Sequence, residues 1–263
     1  MPNPDRAAQT QRAIALGLLQ GPTELLPVSS SAHTRLVPWL LGSPWPRGED
    51  EQRKAFEVAL HLGAGAALAI DMREELLERS RTASIGQWFA LGLSVLPAVL
   101  AGALLKGPIE RRLGGPRSIA AGLVLGSLAM AYADGRAIDS PRHFSELGPA
   151  DGLAVGLAQA LALIPGVSRN GATLSAARLR GFSREDSQAI SWGIALPVIL
   201  GAGALKAGDL RHGAGAAAGG AAAFGSTLVA ARLLRRRGRA LLPYAVYRCL
   251  LAICVLARLA RRP

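Results

Sequence analysis

The chain has 263 residues, of which half are hydrophobic, 18% charged and 5% aromatic, with a formal net charge of +12. An ordinary soluble domain carries about 25% charged residues, and here the apolar residues are clustered in long windows, so a soluble globular fold is excluded. Nucleic-acid binding, the other common cause of a high pI, is set aside because no recognition motif, aromatic platform or extended basic face accompanies the charge.

The chain starts with a polar stretch, MPNPDRAAQTQR, that lacks the basic head, apolar run and cleavage site of a signal peptide; insertion is expected to rely on the spans themselves. Ala13 to Val28 is apolar but interrupted by Gln20, Gly21, Pro22, Glu24 and Pro27. It leads through Ser29, Ser30 and Ser31 into His33 to Leu41. Two prolines and a glycine in so few residues predict a broken, re-entrant helix pair, a geometry tolerated where protein or a water-filled cavity covers the loosened backbone. A polar loop from Gly42 to Lys54, with Trp45 suited to the interface, precedes a short span, Ala55 to Ile70, carrying Glu57 and His61.

A charged segment, Asp71 to Arg81, leads to a span from Gly86 to Leu105 with a kink expected at Pro97, then a basic loop from Lys106 to Arg117 and a span from Ser118 to Ala133. A bilayer core needs roughly 20 apolar residues of helix, with about 17 as the short end. After the polar stretch Asp134 to Asp151, the apolar segment Gly152 to Ile164 is too short to cross and ends in Pro165 and Gly166, which makes it the second re-entrant candidate. Spans over Ser187 to Leu205, Gly213 to Ala231 and Leu241 to Ala257 follow, the last two joined by the Arg-rich loop Arg232 to Arg239. Cys249 and Cys254 share one apolar segment and fit neither a disulfide framework nor a metal cluster, so they are read as packing residues.

An echo runs through this order. Gly17-Leu-Leu-Gln20 and Gly156-Leu-Ala-Gln159 each open an apolar stretch that ends in Pro27-Val-Ser-Ser30 or Pro165-Gly-Val-Ser168. Two interrupted segments in corresponding halves are the pattern of a membrane protein built from repeats, and counting crossings puts them on opposite sides of the membrane. The expected fold is an all-α integral membrane protein, a polytopic helical bundle with an inverted repeat and two re-entrant helix pairs. It forms one domain over residues 1–263, with halves of roughly 13–133 and 152–257.

Ionisable groups within apolar spans mark substrate or ion sites by default, and the two stretches are expected to meet in one site. On a helix Gln20 and Glu24 lie one turn apart on the same face. Their oxygens suit Mg²⁺ or Ca²⁺, ions that bind one or two carboxylates together with phosphate oxygens. Ser30 and His33 are three apart, a spacing that allows a hydroxyl nucleophile beside a general base or acid. In the second stretch Gly166, Ser168, Arg169, Asn170 and Gly171 open onto the helix of Ala172 to Leu179. A helix N-terminus favours anions, Arg169 adds a fork matched to phosphate oxygens, and Ser168 and Thr173 add hydroxyls. Together these groups describe hydrolysis of a phosphoanhydride at a membrane.

The first stretch, GLLQGPTELLPVSSSAH, and the second, GLAQALALIPGVSRNGAT, resemble the two signature regions of the bacterial undecaprenyl-diphosphatase family. FEVALHLGAGAALAI, LPAVLAG and LLPYAVYR resemble further family landmarks in the expected order. The resemblance implies metal-binding roles for Gln20 and Glu24 and a serine and histidine pair at Ser30 and His33. It also implies diphosphate binding by Ser29, Gly166, Ser168, Arg169, Asn170 and Thr173, with Glu24, Ser30, His33 and Arg169 catalytic. It further implies a divalent cation, a polyprenyl diphosphate substrate, the bacterial inner membrane with the site facing outward, a part in carrier recycling for cell-wall synthesis, and bacitracin resistance. A homodimer is the open question of assembly.

Three positions depart from the family pattern. Gln20 stands where Glu is frequent and removes a negative charge, Asn170 replaces the second serine of an SRS triplet, and Ala32 replaces a glycine. Two alternatives stay open on these residues: Ser30 attacks phosphorus or orients the diphosphate while His33 activates water, and the protein hydrolyses its lipid or translocates it.

Overall fold

The structure is a computed structural model that describes residues 4–43, 50–136, 138–205, 215–234 and 240–261. Trp45 in the first polar loop, the connection 206–213, residues 235–239 of the Arg-rich loop and Arg262 lie outside the described residues.

Among the described residues the regular structure is helical: α1 (Pro4–Leu25), α2 (Ser30–Leu40), α3 (Asp50–Asp71), α4 (Arg73–Thr82), α5 (Ile85–Leu113), α6 (Pro116–Gly135), α7 (Pro149–Leu161), α8 (Arg169–Leu179), α9 (Arg184–Leu205), α10 (Ala216–Leu234) and α11 (Leu242–Ala260), with one 3₁₀ turn at Phe144–Glu146. Four of these, α5, α6, α10 and α11, are long and apolar enough to cross a membrane, and the broken pair α3–α4 would make a fifth. Only 11% of the apolar window of α5 is buried within the protein, with Leu96, Val99, Leu100 and Leu104 exposed. A patch of this kind marks a membrane or protein-contact surface, and its length and apolarity match a bilayer core. The chain is an all-α polytopic membrane protein.

The structure locates one expected feature and corrects another. The break expected between Ala13 and Leu41 falls at residues 26–29, around Pro27, and α1 continues through Pro22. One turn of α1 is opened by an inserted side chain: the Gly21 N–H donates to Ser226 Oγ at 3.2 Å, and Ser226 Oγ donates to the Gly17 carbonyl at 3.0 Å. The Thr23 hydroxyl donates to the Leu19 carbonyl at 2.8 Å beside the proline, which has no N–H of its own. The basic loop expected from Lys106 is helical to Leu113, because α5 carries its last turns, with Arg111 and Arg112, beyond the apolar window. Cationic side chains there complement the carbonyl end of the helix.

The chain forms two compact units. The first contains residues 1–25, 33–75 and 195–236. In it α1, α3 and α10 approach closely because glycines face backbone: a Cβ at Gly17 would overlap the Gly219 carbonyl, and one at Gly63 the Gly220 carbonyl. Small residues of this sort let membrane helices meet at van der Waals distance. Ala13, Leu16, Phe56, Leu60 and Ala223 fill the contact.

The second unit contains residues 26–32, 76–194 and 237–263. Here α7 lies on α5, with Gly152 against the Ala90 carbonyl and Gly156 against that of Leu93, while α6 packs on α11 and α8 on both α6 and α7. Gly17 and Gly156, which open the echoed stretches, thus make the same kind of close approach. Val155, Ala177, Phe182, Ile190 and Ile194 form an apolar core.

One polar anchor fixes the loop before α7. Asp151 is buried, yet it accepts from Arg142 Nη1 and Nη2 at 3.0 and 2.8 Å, Arg180 Nε at 2.6 Å and the Gly148 N–H at 3.0 Å. Burial by itself would raise its pKa; the hydrogen bonds from the two arginines and Gly148 overcome this and lower it to about 2. A lowered folded-state pKa gives stability that is complete above about pH 4 and is lost as pH falls toward 2. The shift corresponds to roughly 2 kcal/mol, trimmed by solvent because the arginine side chains are 30% and 43% exposed. Asp151→Asn is therefore expected to lower the melting temperature at pH 7 and to flatten its fall between pH 4 and 2. An unchanged acid limb in detergent melting curves would remove Asp151 as its source.

Candidate active site

The first unit holds the acidic group. Gln20 and Glu24 do share one face of α1, and Gln20 Nε2 donates to Glu24 Oε2 at 3.1 Å. Both are buried, Gln20 completely, and Gln20 Oε1 has no hydrogen-bond partner. A residue outside the predicted site joins them: His61 Nε2, from α3, lies 3.6 Å from Glu24 Oε2. Its Nδ1 sits 2.7 Å from the Glu57 carbonyl oxygen, and the Glu57 carboxylate is held by Arg53 Nη1 at 2.9 Å and Arg35 Nε at 3.3 Å. His33 is buried on α2 in this unit.

The second unit holds the serines and the anion cradle. Ser29 and Ser168 are the non-glycine residues at positive φ among those described, at 76° and 69°, and each immediately precedes a helix, α2 and α8. Such angles are uncommon outside glycine and cost of order 1 kcal/mol or more. The echo in sequence is therefore also an echo in backbone. Ser30 opens α2, and Ser29 Oγ lies 3.4 Å from Ser31 Oγ. Ser168 caps α8 by accepting the Gly171 N–H on Oγ at 3.1 Å. Gly166, at φ +97°, lies where a Cβ would overlap the Ile119 carbonyl. Arg169 occupies the first turn of α8, half-buried.

Asn170 and Thr173 are tied together through a residue the sequence did not single out. Ser191 Oγ, on α9, donates to Asn170 Oδ1 at 2.7 Å and lies 2.6 Å from Thr173 Oγ1. Because Oδ1 accepts from Ser191, the Asn170 amide is fixed with its NH₂ turned away from it. Asn in place of serine is thus seated by α9. Ser191→Ala is expected to lower kcat/KM about five-fold, the worth of one buried hydrogen bond, and to have no further effect once Asn170 is alanine. Equal losses in both backgrounds, measured by phosphate release, would contradict this coupling. A serine inside an apolar span is too common to be picked out in advance.

The other missed residue is Arg248, fully buried in the middle of α11. Nη1 donates to the Pro27 carbonyl at 3.1 Å and approaches Met130 Sδ at 3.1 Å. Nη2 donates to Gly166 O at 2.8 Å, Val167 O at 2.9 Å, Leu123 O at 3.2 Å and Gly122 O at 3.4 Å. One guanidinium therefore holds the break before α2 and the break before α8, and so brings together residues 26–32 of the first signature and 165–173 of the second. The signal was present: an arginine inside an apolar span is a functional candidate.

For a divalent cation, Gln20 Oε1 and the Glu24 carboxylate are hard oxygen donors within one helical turn, one of them orphaned. That donor chemistry fits an ion that fills its other positions with water and phosphate oxygens. Among the described residues no cluster of three or more His, Cys, Asp or Glu adds a self-contained protein cage.

Lipid-crossing helices with buried polar groups, broken helices and an arginine-bearing helix N-terminus define a polytopic membrane protein built to handle an anion. The chain belongs to the family described as Bacitracin resistance protein BacA, whose sequence profile matches residues 13–254. The protein named undecaprenyl-diphosphatase in Geobacter sulfurreducens is 37% identical over 275 residues, covering 95% of this chain and 98% of that protein. Its namesake in Alcanivorax borkumensis is 39% identical, covering 95% and 98%. That of Geobacter metallireducens is 41% identical over 215 residues, covering 76% of this chain and 77% of its own.

Proposed function

We infer that the chain hydrolyses undecaprenyl diphosphate to undecaprenyl phosphate and inorganic phosphate. The observation that carries the mechanism is the Arg248 clamp, which holds two serine-bearing breaks of like backbone in one rigid arrangement. Arg169 and the N-terminus of α8 bind phosphate oxygens and stabilise the charge that gathers on them as the anhydride opens. Ser168 and Thr173 add hydroxyls, and Ser191 keeps the Asn170 amide oriented as a donor. Ser29 and Ser30 present hydroxyls at the start of α2, and His33 follows one turn later for proton transfer. Water supplies the oxygen that leaves on inorganic phosphate, the bond from the terminal phosphorus to the bridging oxygen breaks, and that oxygen stays with the lipid. A divalent cation held by Gln20 and Glu24 would supply positive charge to phosphate oxygens that complete its coordination.

The reading extends to an inverted repeat with halves near 13–133 and 152–257, a bacterial inner-membrane location with the site facing outward, carrier recycling for the cell wall, bacitracin resistance and a homodimer. Purified protein in detergent with undecaprenyl diphosphate and Mg²⁺ is expected to release one phosphate per lipid consumed, and less Mg²⁺ should suffice for Gln20→Glu. Transbilayer movement of labelled lipid with no phosphate released would replace hydrolysis by translocation.

A further inference from the structure

The contact between His61 and Glu24 is odd as a hydrogen bond. A charge-assisted N–H···O bond is about 2.7–2.9 Å long, and these atoms are 3.6 Å apart. The other ring nitrogen explains the spacing. His61 Nδ1 is 2.7 Å from the Glu57 carbonyl, which can only accept, so Nδ1 carries the proton. In the neutral ring Nε2 then presents a lone pair toward the Glu24 carboxylate.

Two lone-pair donors facing each other can share a cation between them. With ligand bonds of about 2.1 Å, two donors on a tetrahedral ion lie about 3.4 Å apart, within a few tenths of an ångström of the observed separation. A ring N–H fixed by a backbone carbonyl is also the usual outer partner of a metal-binding histidine. A third group completes the set: the buried Gln20 side chain, already touching Glu24, has an oxygen with no partner. A half-turn of that amide exchanges its nitrogen for its oxygen.

We propose that His61 is a ligand of the divalent cation, so that the site is a nitrogen and oxygen site formed by Gln20, Glu24 and His61 and prefers a first-row transition ion, for which Mn²⁺ is the spectroscopic probe, to Ca²⁺. The inference rests on the reading of Gln20 and Glu24 as the metal positions. Imidazole suits Zn²⁺, Cu²⁺, Fe²⁺ and Ni²⁺, whereas Ca²⁺ takes oxygen ligands, so the added nitrogen shifts selectivity away from Ca²⁺.

The test uses the full-length protein in detergent, without substrate, titrated with Mn²⁺ and followed by electron paramagnetic resonance. Wild type is expected to bind Mn²⁺ in competition with Ca²⁺. His61→Gln should weaken Mn²⁺ ten-fold or more while changing Ca²⁺ less than three-fold, and Glu24→Ala should abolish both. Nitrogen coupling from ¹⁵N-histidine in the spin-echo spectrum of the wild-type Mn²⁺ complex is the second readout and needs no variant. Mn²⁺ binding that Glu24→Ala removes but His61→Gln leaves intact, or a complex without nitrogen coupling, overturns the ligand role and leaves the acidic pair standing. Binding of neither ion by wild type overturns both.

Discussion

Arg248→Lys is expected to lower turnover roughly 100-fold, the scale of loss when reacting groups are displaced by about an ångström. Lysine keeps the charge, but its three donors radiate from one atom, whereas the guanidinium reaches Pro27 O from Nη1 and Gly166 O and Val167 O from Nη2. With lysine at least one break loses its donor. Each stranded buried carbonyl costs about 1–3 kcal/mol, enough to loosen the backbone that positions Ser29 or Ser168. Arg248→Met removes the charge as well and leaves both breaks unsupported. Hydrogen exchange gives a readout beside activity: amides at 26–31 and 165–171 should lose protection together in Arg248→Met. Wild-type turnover in Arg248→Lys, or a loss confined to one break, would show that the arginine is not a shared clamp.

The second large effect is at the charged groups themselves. Arg169→Ala is expected to cut kcat by roughly 10²–10³, the loss that follows removal of one preorganised donor to developing charge. Arg169→Lys should recover only part of it, since a point charge replaces a planar fork. Glu24→Gln keeps the shape and its neighbour Gln20 but removes the negative charge, and a loss of similar size is expected, with Mg²⁺ no longer rescuing it. Single-turnover phosphate release separates these losses from product release. Full activity in Glu24→Gln would leave the carboxylate with a packing role, and the site would then need another source of negative charge.

Membrane character, the spans at α5, α6, α10 and α11 and the helix after Gly166 were legible because each rests on composition or spacing over a few turns. Gln20 with Glu24 was legible for the same reason, as an i, i+4 pair. Ser29 and Ser168 were legible as residue types but not as strained ones, since no local rule puts serine at φ near +70°. The Ser226 hydroxyl that bridges the Gly21 N–H and the Gly17 carbonyl within α1 was not legible, because it comes from more than 200 positions away.

By itself the sequence determined that this is a polytopic helical membrane protein with two interrupted polar stretches. Run length, helical period and residue type are local properties, and lipid leaves few alternatives to the helix. The tertiary structure alone decided which distant side chains complete the local pieces: Arg248 for the two breaks, Ser191 for Asn170, His61 for Glu24 and Ser226 for α1. Such pairings depend on helix packing set by glycine contacts spread along the chain, and no spacing within a single helix encodes them.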